Sequence, residues 1–455
     1  MSAQGWLYIP IETKVRELQG KLLLAAVAAE AGLRTIVGHK DEVFSIARKG
    51  PRGHIFNFGL SRNFAAMSRR YRQLGHKVVS IDEEGLVTLR DELYVRYRVS
   101  PETLRELEMF FCWGEKQAAL VREQAADAGC KVLVTGNPRF DMFRPEFRSL
   151  MKSEVESIRN KYGSYILVNT NFGSSNHVQG KSYSLSQLTK KGWMGTPEDE
   201  SYHCGRIGFQ ETIIQHFKTT LPILGRKFPD LNVIVRPHPS ESHALWREAA
   251  ALCENVHVVH EGTVTPWIMG AEAIIHNGCT TAIEAFLLGI PAIAYRPLKD
   301  NKYETRLPNE LSVQAGDVGE LVEAVRHLRQ PGACPEAEAG RELLARYLQG
   351  VEGALASDRI VAHLLSASSG FRYSAWRSNV NWLRLVAENV RIKRWIKQLL
   401  GRGMAAQEYI RCKFPGLEFC EVESLLKSFS KATGRFNHVR AIRLGKNTYC
   451  IDRFK

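Results

Sequence analysis

The sequence predicts two α/β domains, each an open parallel sheet covered by helices, followed by a basic helical extension. Three observations predict it. Short apolar runs alternate with longer amphipathic stretches from residue 5 to about 365, as β-α-β units require. The alternation begins afresh at Tyr165, after a stretch near residue 150 with no strong period. Charge is also uneven. The chain carries a net +14, yet residues 371–455 alone hold 18 Lys+Arg against 6 Asp+Glu. A length of 455 residues with 44% hydrophobic and 24% charged content suits two or three ordinary globular domains.

In the first domain, residues 1–150, Trp6–Ile9 reads as a strand. The polar turn Glu12–Glu17 leads into an Ala/Leu-rich helix ending at Gly32, and Thr35–Val37 is the next strand. Val78–Ile81, Met109–Cys112 and Val132–Val134 follow, each closed by a Gly-bearing or acidic loop. Phe140 to about Ser153 reads as the linker. The second domain, 151–365, opens with strand Tyr165–Val168. A long polar stretch over 173–205, with five glycines, reads as a functional or mobile loop. Then come helix Phe209–Arg226, strand 232–235, helix 240–252, strand Val256–Val259, helix Thr265–Met269, strand Ala273–His276, helix Thr280–Leu288 and strand Ala292–Tyr295. Helices near 317–329 and 336–365 end the domain.

The extension, 366–455, interleaves aromatic and basic residues around Arg391–Lys397. On a helix, Trp382, Leu385, Val386, Val390, Ile392 and Ile396 form an irregular apolar stripe with bases opposite. That pattern suits contact with an anionic membrane surface or packing on the domains. No nucleic-acid-binding motif accompanies it, so nucleic acid is not an expected partner. Nine Cys, without a CxxC pair or zinc-ligand spacing, imply reduced thiols. No signal peptide and no run of about 18 apolar residues is found. The expected location is cytoplasmic, at the inner face of a membrane.

Two segments carry the chemistry. Strand 232–235 runs into Arg236-Pro237-His238-Pro239. Strand 273–276 runs into Asn277-Gly278-Cys279-Thr280-Thr281, with Glu284 one turn into the following helix. Polar groups just past the carboxyl ends of parallel strands are where such sheets bind ligands. The helix N-terminus after Gly278 favours an anion. Together they suggest a nucleotide or sugar-phosphate site, in which fixed donors stabilise a phosphate whose charge grows as it leaves. His238 and Thr280/Thr281 are the candidate donors, Arg236 a candidate cation, and Pro239, Asn277 and Gly278 shape their loops. Glu284 is a candidate for the ribose hydroxyls or for helix capping. Asn171 and Gly173 could line the same cleft. In the first domain Asp82-Glu83-Glu84-Gly85 offers a base for an acceptor hydroxyl, Asp82 first. Neighbouring carboxylates repel, which would raise a pKa and improve a base. Glu12, Lys14 and Arg16 follow strand one and could bind an acidic acceptor, or form a surface ion-pair turn. No DxD lies at a strand end, so neither a metal nor a cofactor is expected, and the nucleotide sugar is a co-substrate.

Two Rossmann-like halves around a linker resemble the GT-B glycosyltransferase architecture over about residues 5–365. The trio Asp82-Glu-Glu-Gly85, His238-Pro239 and Thr280-Thr281 resembles the three motifs of bacterial sialyltransferases and polysialyltransferases. That resemblance implies a CMP-sugar donor, Asp82 as general base, and His238 with the Thr pair on the phosphate. The opening Tyr8–Glu17, with Asp82–Gly85, is similar to a bacterial family of surface carbohydrate biosynthesis proteins. Arg-x-His-Pro with a downstream small-residue pair also occurs in CDP-glycerol glycerophosphotransferases. Thr135-Gly-Asn-Pro138 resembles UDP-N-acetylglucosamine 2-epimerases. The leading expectation is a glycosyltransferase moving a CMP-activated acidic sugar to a lipid-linked or oligosaccharide acceptor. CDP-polyol phosphate transfer, UDP-sugar epimerisation and a non-catalytic assembly role are the alternatives.

Overall fold

The computed structural model describes residues 5–330, 337–371, 376–399 and 413–454. They form two compact units, one from Met1–Gly85, Arg98–Leu150 and Ala345–Lys455, the other from Leu86–Tyr97 and Met151–Leu344. Both are Rossmann-like α/β units.

In the first unit the chain lays down β1 (Gly5–Ile11), β2 (Leu33–His39), β3 (His54–Asn57), β4 (Lys77–Ile81), β5 (Met109–Cys112) and β6 (Lys131–Val134). They pair in parallel in the order β2-β1-β3-β4-β5-β6. All seven residues of β1 are buried. Covered on both faces, the strand reads as a continuous apolar run. The helix Lys14–Glu30 then crosses the sheet with its Leu and Ala residues in the core.

The second unit contributes β7 (Tyr165–Asn169), β8 (Asn232–Arg236), β9 (Val256–Val258), β10 (Ala273–His276), β11 (Ala292–Tyr295) and β12 (Val313–Ala315). All are parallel, in the order β12-β11-β10-β7-β8-β9. The chain starts at the centre with β7, winds out through β8 and β9, and resumes on the other side with β10. The β7/β10 junction is therefore the topological switch point, where loops diverge and leave a crevice.

Several expectations need correction. The tail is not a separate extension. It keeps the expected helix as Val380–Leu399, adds a second, Phe419–Thr433, and ends in β13 (Val439–Arg443) and β14 (Thr448–Arg453). β14 pairs antiparallel with β2, from Thr448 opposite Gly38 to Ile451 opposite Thr35, and β13 pairs with β14. The hairpin covers an edge that would otherwise present unpaired backbone groups. Val422 and Phe429 of the C-terminal helix lie in the same core as Leu22 and Ile9. In the helix Val380–Leu399, Leu383 and Val386 are buried while Leu385 is 61% exposed, and Trp382 Nε1 donates to Lys49 O at 3.3 Å. The rest of the expected stripe, the side chains of Val390, Ile392 and Ile396, lies outside the described residues.

The presumed loop 173–205 is largely helical: Lys181–Lys190, then a 31-residue helix, Pro197–Lys227, which starts well before Phe209. Thr196 and Asp199 form a capping box there, with Pro197 at the first helical position. The single helix expected over 336–365 is two, Ala337–Tyr347 and Ala356–Ser366. The chain rejoins the first unit near the end of the first of them, at Ala345, so the second domain does not run to 365. Asp141 caps the second of these helices, accepting from Ala356 N at 2.7 Å, Ser357 N at 3.0 Å and Ser357 Oγ at 2.7 Å. The presumed linker is packed structure as well, with Phe140, Phe143 and Phe147 buried. Residues 86–97 belong with the second unit, where Arg96 donates to Asp199 at 2.8 Å and the Tyr97 ring stacks on Trp193 at 5.1 Å. No described helix is long and apolar enough to cross a membrane.

Candidate functional site

The switch point of the second unit is tightly made. Asn171 N, just past β7, donates to Asn277 Oδ1, just past β10, at 2.9 Å. Gly278 turns the chain at φ +85°, and a Cβ there would lie 2.4 Å from Thr305 Oγ1. That hydroxyl donates to Gly278 O at 2.8 Å, while Gly278 N donates to His276 Nδ1 at 2.9 Å. The opposite nitrogen of His276 meets Ser312 Oγ at 2.8 Å. Because the ring is fully buried, its pKa falls to about 3. His276 is thus a neutral structural clamp. The helix Thr280–Leu288 starts directly after this turn. Its N-cap is Cys279, whose Sγ meets Thr281 Oγ1 and faces the N–H groups of Thr281 and Ala282 without forming a regular cap. A thiol is a weak acceptor, so the first-turn donors stay available to an anion.

At the end of β8, His238 is exposed. Its Nδ1 accepts from Ser240 N at 3.2 Å and lies 2.8 Å from Ser240 Oγ. Accepting at Nδ1 puts the ring proton on Nε2, so the outer nitrogen of the neutral ring is a donor. Gly173 comes against this turn: a Cβ there would sit 2.3 Å from Ser240 Oγ and 3.3 Å from His238 Nδ1. Pro239 beside it is exposed.

The group that holds these loops was not foreseen. Glu241 is 2% exposed and accepts from Thr170 Oγ1 at 2.8 Å, Phe172 N at 2.9 Å, His238 N at 3.1 Å and Trp246 Nε1 at 3.0 Å. Burial raises its pKa, and the hydrogen bonds oppose the rise. One carboxylate thereby ties the loop after β7 to the loop after β8. A glutamate three residues after His238 was the available signal, since it repeats the spacing of a capping residue. Gln210, from the long helix, adds a contact to Asn171 O at 3.5 Å and accepts from Ser175 Oγ at 3.3 Å.

Two expected residues are used differently. Arg236 is 6% exposed and donates to Glu261 O at 2.8 Å and Gly262 O at 3.2 Å, with its guanidinium over the Trp267 ring at 5.0 Å. Burial lowers its pKa to about 10. It holds the loop after β9 and is not a free cation in the strand-end cluster. Glu284 is fully buried, so a carboxylate reaching out to a ribose is not what the fold provides.

The first unit gives a contrasting picture. Asp82 is 2% exposed and is gripped by Arg98 at 2.7 and 3.1 Å. Glu83 pairs with the buried Lys21 at 3.0 Å. Glu84 pairs with Arg16 at 3.0 Å and Arg98 at 3.1 Å. Burial alone would raise the Glu84 pKa, but Arg98 and Arg16 outweigh it and bring it down to about 2. The expected mutual repulsion among these carboxylates is overridden because each faces a cation. A carboxylate held by two guanidinium N–H groups has its oxygens already engaged. The turn after β1 is committed too. Glu12 pairs with Lys40 at 2.8 Å, Lys14 with Glu421 at 2.6 Å, and Arg16 also reaches Glu17 at 3.4 Å. The ion-pair reading of that turn holds. Among the described residues no group of three or more His, Cys, Asp or Glu could hold a metal ion.

No family model matches the chain, and no curated protein matches it by sequence. Among solved structures, it is similar to the UDP-GlcNAc 2-epimerase of Methanocaldococcus jannaschii at 12% identity and TM-score 0.49, covering 79% of this chain and 99% of that one. The Neisseria meningitidis UDP-GlcNAc 2-epimerase gives 15% identity and TM-score 0.42 over 69% and 76% of the two chains. The wall teichoic acid polymerase TagF gives 11% identity and TM-score 0.44 over 70% and 72%. Likeness at this level assigns no activity, and the functional reading rests on the residues.

Proposed function

We propose that the chain is a nucleotide-sugar-dependent glycosyltransferase of bacterial surface polysaccharide synthesis, with the donor bound at the switch point of the second unit. The carrying observation is the convergence there of His238, Gly173, Asn171, Asn277, Gly278 and the first turn of the helix Thr280–Leu288, stitched by Glu241. In this reading the donor phosphate sits on the N–H groups and hydroxyls of Thr280 and Thr281, and His238 donates from Nε2 to a phosphate oxygen. Such fixed donors stabilise the charge that grows on the leaving group. The pathway comes from the resemblance of Tyr8–Glu17 and Asp82–Gly85 to surface carbohydrate proteins. A CMP-sugar is the proposed donor, from the sialyltransferase-like trio. None of Asp82, Glu83 and Glu84 is carried forward as the base, since all three are ion-paired.

The test is a thermal-shift panel of CMP, CDP and UDP on the wild type and a His238→Ala variant, followed by product analysis with a lipid-linked acceptor. Protection by one nucleotide, lost in the variant, supports the reading; no protection by any of them sinks it. Turnover of a UDP-sugar without an acceptor would instead identify an epimerase, and transfer from CDP-glycerol a polyol phosphotransferase. The basic stretch Arg391–Lys397 is assigned to an anionic membrane surface. Replacing Arg391, Lys393, Arg394 and Lys397 with Gln should release the protein from anionic vesicles, and undiminished binding would refute the assignment.

A further inference from the structure

The cation expected beside a leaving phosphate is not Arg236, whose guanidinium serves the loop after β9. A different arginine occupies the right place. Arg206 lies in the helix Pro197–Lys227, and its guanidinium makes no hydrogen bond or ion pair among the described residues; its Nε is shut off from solvent without a partner. Its electrostatic neighbours are Tyr202 and His203, and no carboxylate is among them. The residue as a whole is half-buried, and a guanidinium with its Nε shut off and no counter-ion carries a desolvation cost that an arriving anion would offset.

The helix geometry says where that anion would sit. Successive residues turn about 100°. Gly205 faces Tyr303, whose Oη would lie 2.2 Å from a Cβ on Gly205. Gln210, about 140° further round, reaches Asn171 O and Ser175 Oγ. Arg206 falls between these directions, one turn before Gln210, on the face that buries Tyr202, Ile213 and Gln210. One flank is the segment Tyr303–Thr305, where Thr305 holds Gly278 O at 2.8 Å. The other flank is the loop after β7. The side chain is therefore directed over the β7/β10 switch point.

Two more groups at that junction await a partner. Asn169, the last residue of β7, is 4% exposed, and Asn309 is 6% exposed. Asn169 Nδ2 and Asn309 Oδ1 make no hydrogen bond in the structure. Asn309 Oδ1 lies 3.6 Å from where a Cβ on Gly278 would be. Buried polar atoms are seldom left unmatched unless water or a ligand completes them.

We infer that Arg206 is the cation of this site and binds the phosphate of the activated sugar, opposite the Thr280–Thr281 helix start. The inference rests on the proposed function and adds to it the residue that neutralises the leaving group. Hydrogen bonds to charged groups of this kind correspond to a loss of about 10- to 100-fold in affinity on removal.

The test uses isothermal titration of the full chain with CMP, CDP and UDP, with cytidine and uridine as phosphate-free controls, on the wild type, Arg206→Met and Arg206→Lys. Melting temperature without ligand is measured alongside. The expected result is at least a tenfold loss of nucleotide affinity in Arg206→Met and a smaller loss in Arg206→Lys. Nucleoside affinity should be unchanged, and the melting temperature equal to or above wild type. Equal nucleotide affinity in Arg206→Met overturns the inference and leaves the proposed function standing. A lowered melting temperature with nucleoside and nucleotide affinity reduced alike makes Arg206 structural and also overturns it. Absence of nucleotide binding by the wild type overturns the proposed function, and this inference with it.

Discussion

The strand-end loops of the two units are built from similar residue types and have opposite electrostatics. Past β1 and β4, Arg16, Lys21 and Arg98 face Glu17, Asp82, Glu83 and Glu84, and each is matched within its own unit. Past β7, β8 and β10 the reverse holds. The buried Glu241 is used up on the loops themselves, Glu284 is buried inside the helix after β10, and the groups left at the strand ends are donors: His238, two threonines at a helix start, and Arg206. A matched network gives rigidity and little net stabilisation. A guanidinium with no carboxylate beside it, as at Arg206, has a reason to persist if an anion completes it. Identical sequence cues, a polar cluster after an apolar strand, thus mark a scaffold in one unit and the proposed binding site in the other.

The largest expected effect tests the scaffold side. Deleting residues 413–455 removes β13, β14 and the helix that covers the first core, and exposes the edge of β2. The truncated chain should fail to reach a cooperative thermal transition for the first unit and should be cut rapidly by proteases. A normal transition would mean that the tail is dispensable after all. Next is Glu241→Leu, which leaves buried donors from Thr170, Phe172, His238 and Trp246 unmatched. At about 1–3 kcal/mol for each such group, urea denaturation should show a loss exceeding about 3 kcal/mol, with nucleotide protection gone.

A direct comparison of the two clusters is smaller. His238→Ala should weaken nucleotide binding by about tenfold, the size of one charged hydrogen bond, whereas Asp82→Asn should change it by less than about twofold. Equal effects would erase the distinction drawn between the units. The smallest effect concerns pH. The folded pKa of His276 is depressed from 6.5 to about 3, so the unfolded chain takes up the proton first as pH falls. Stability from this residue is complete above pH 6.5 and declines below it, by at most about 1.4 kcal/mol per pH unit. Other buried histidines contribute to the same slope, so the measurement is a difference: His276→Gln should flatten the decline of urea stability between pH 6.5 and pH 4.5, relative to wild type.

Much of the fold was legible because parallel strands covered on both faces cannot disguise themselves. Met109–Cys112, Ala273–His276 and Ala292–Tyr295 were read with the bounds that the structure has. What escaped were elements with weaker burial. β3 is four residues with polar ends, and the hairpin β13–β14 alternates Arg440, Arg443 and Asp452 with apolar positions, so it reads as more basic tail. The start of the long helix was written in Thr196-Pro197-Glu198-Asp199, but Gly205 and Gly208 broke the helical pattern after it. That misreading hid Arg206.

The α/β class, the single restart of the alternation at Tyr165, and the strand ends where polar residues cluster were legible in the chain alone, because apolar periodicity and helix-start chemistry are local. Only the tertiary structure decided which of those polar residues are consumed by one another. Counter-ions are chosen through space: Arg98 for Asp82 and Lys21 for Glu83, while Arg206 receives no partner from anywhere in the described chain. No spacing rule reports that, since the pairing energy depends on distance and burial, which the chain acquires only on folding.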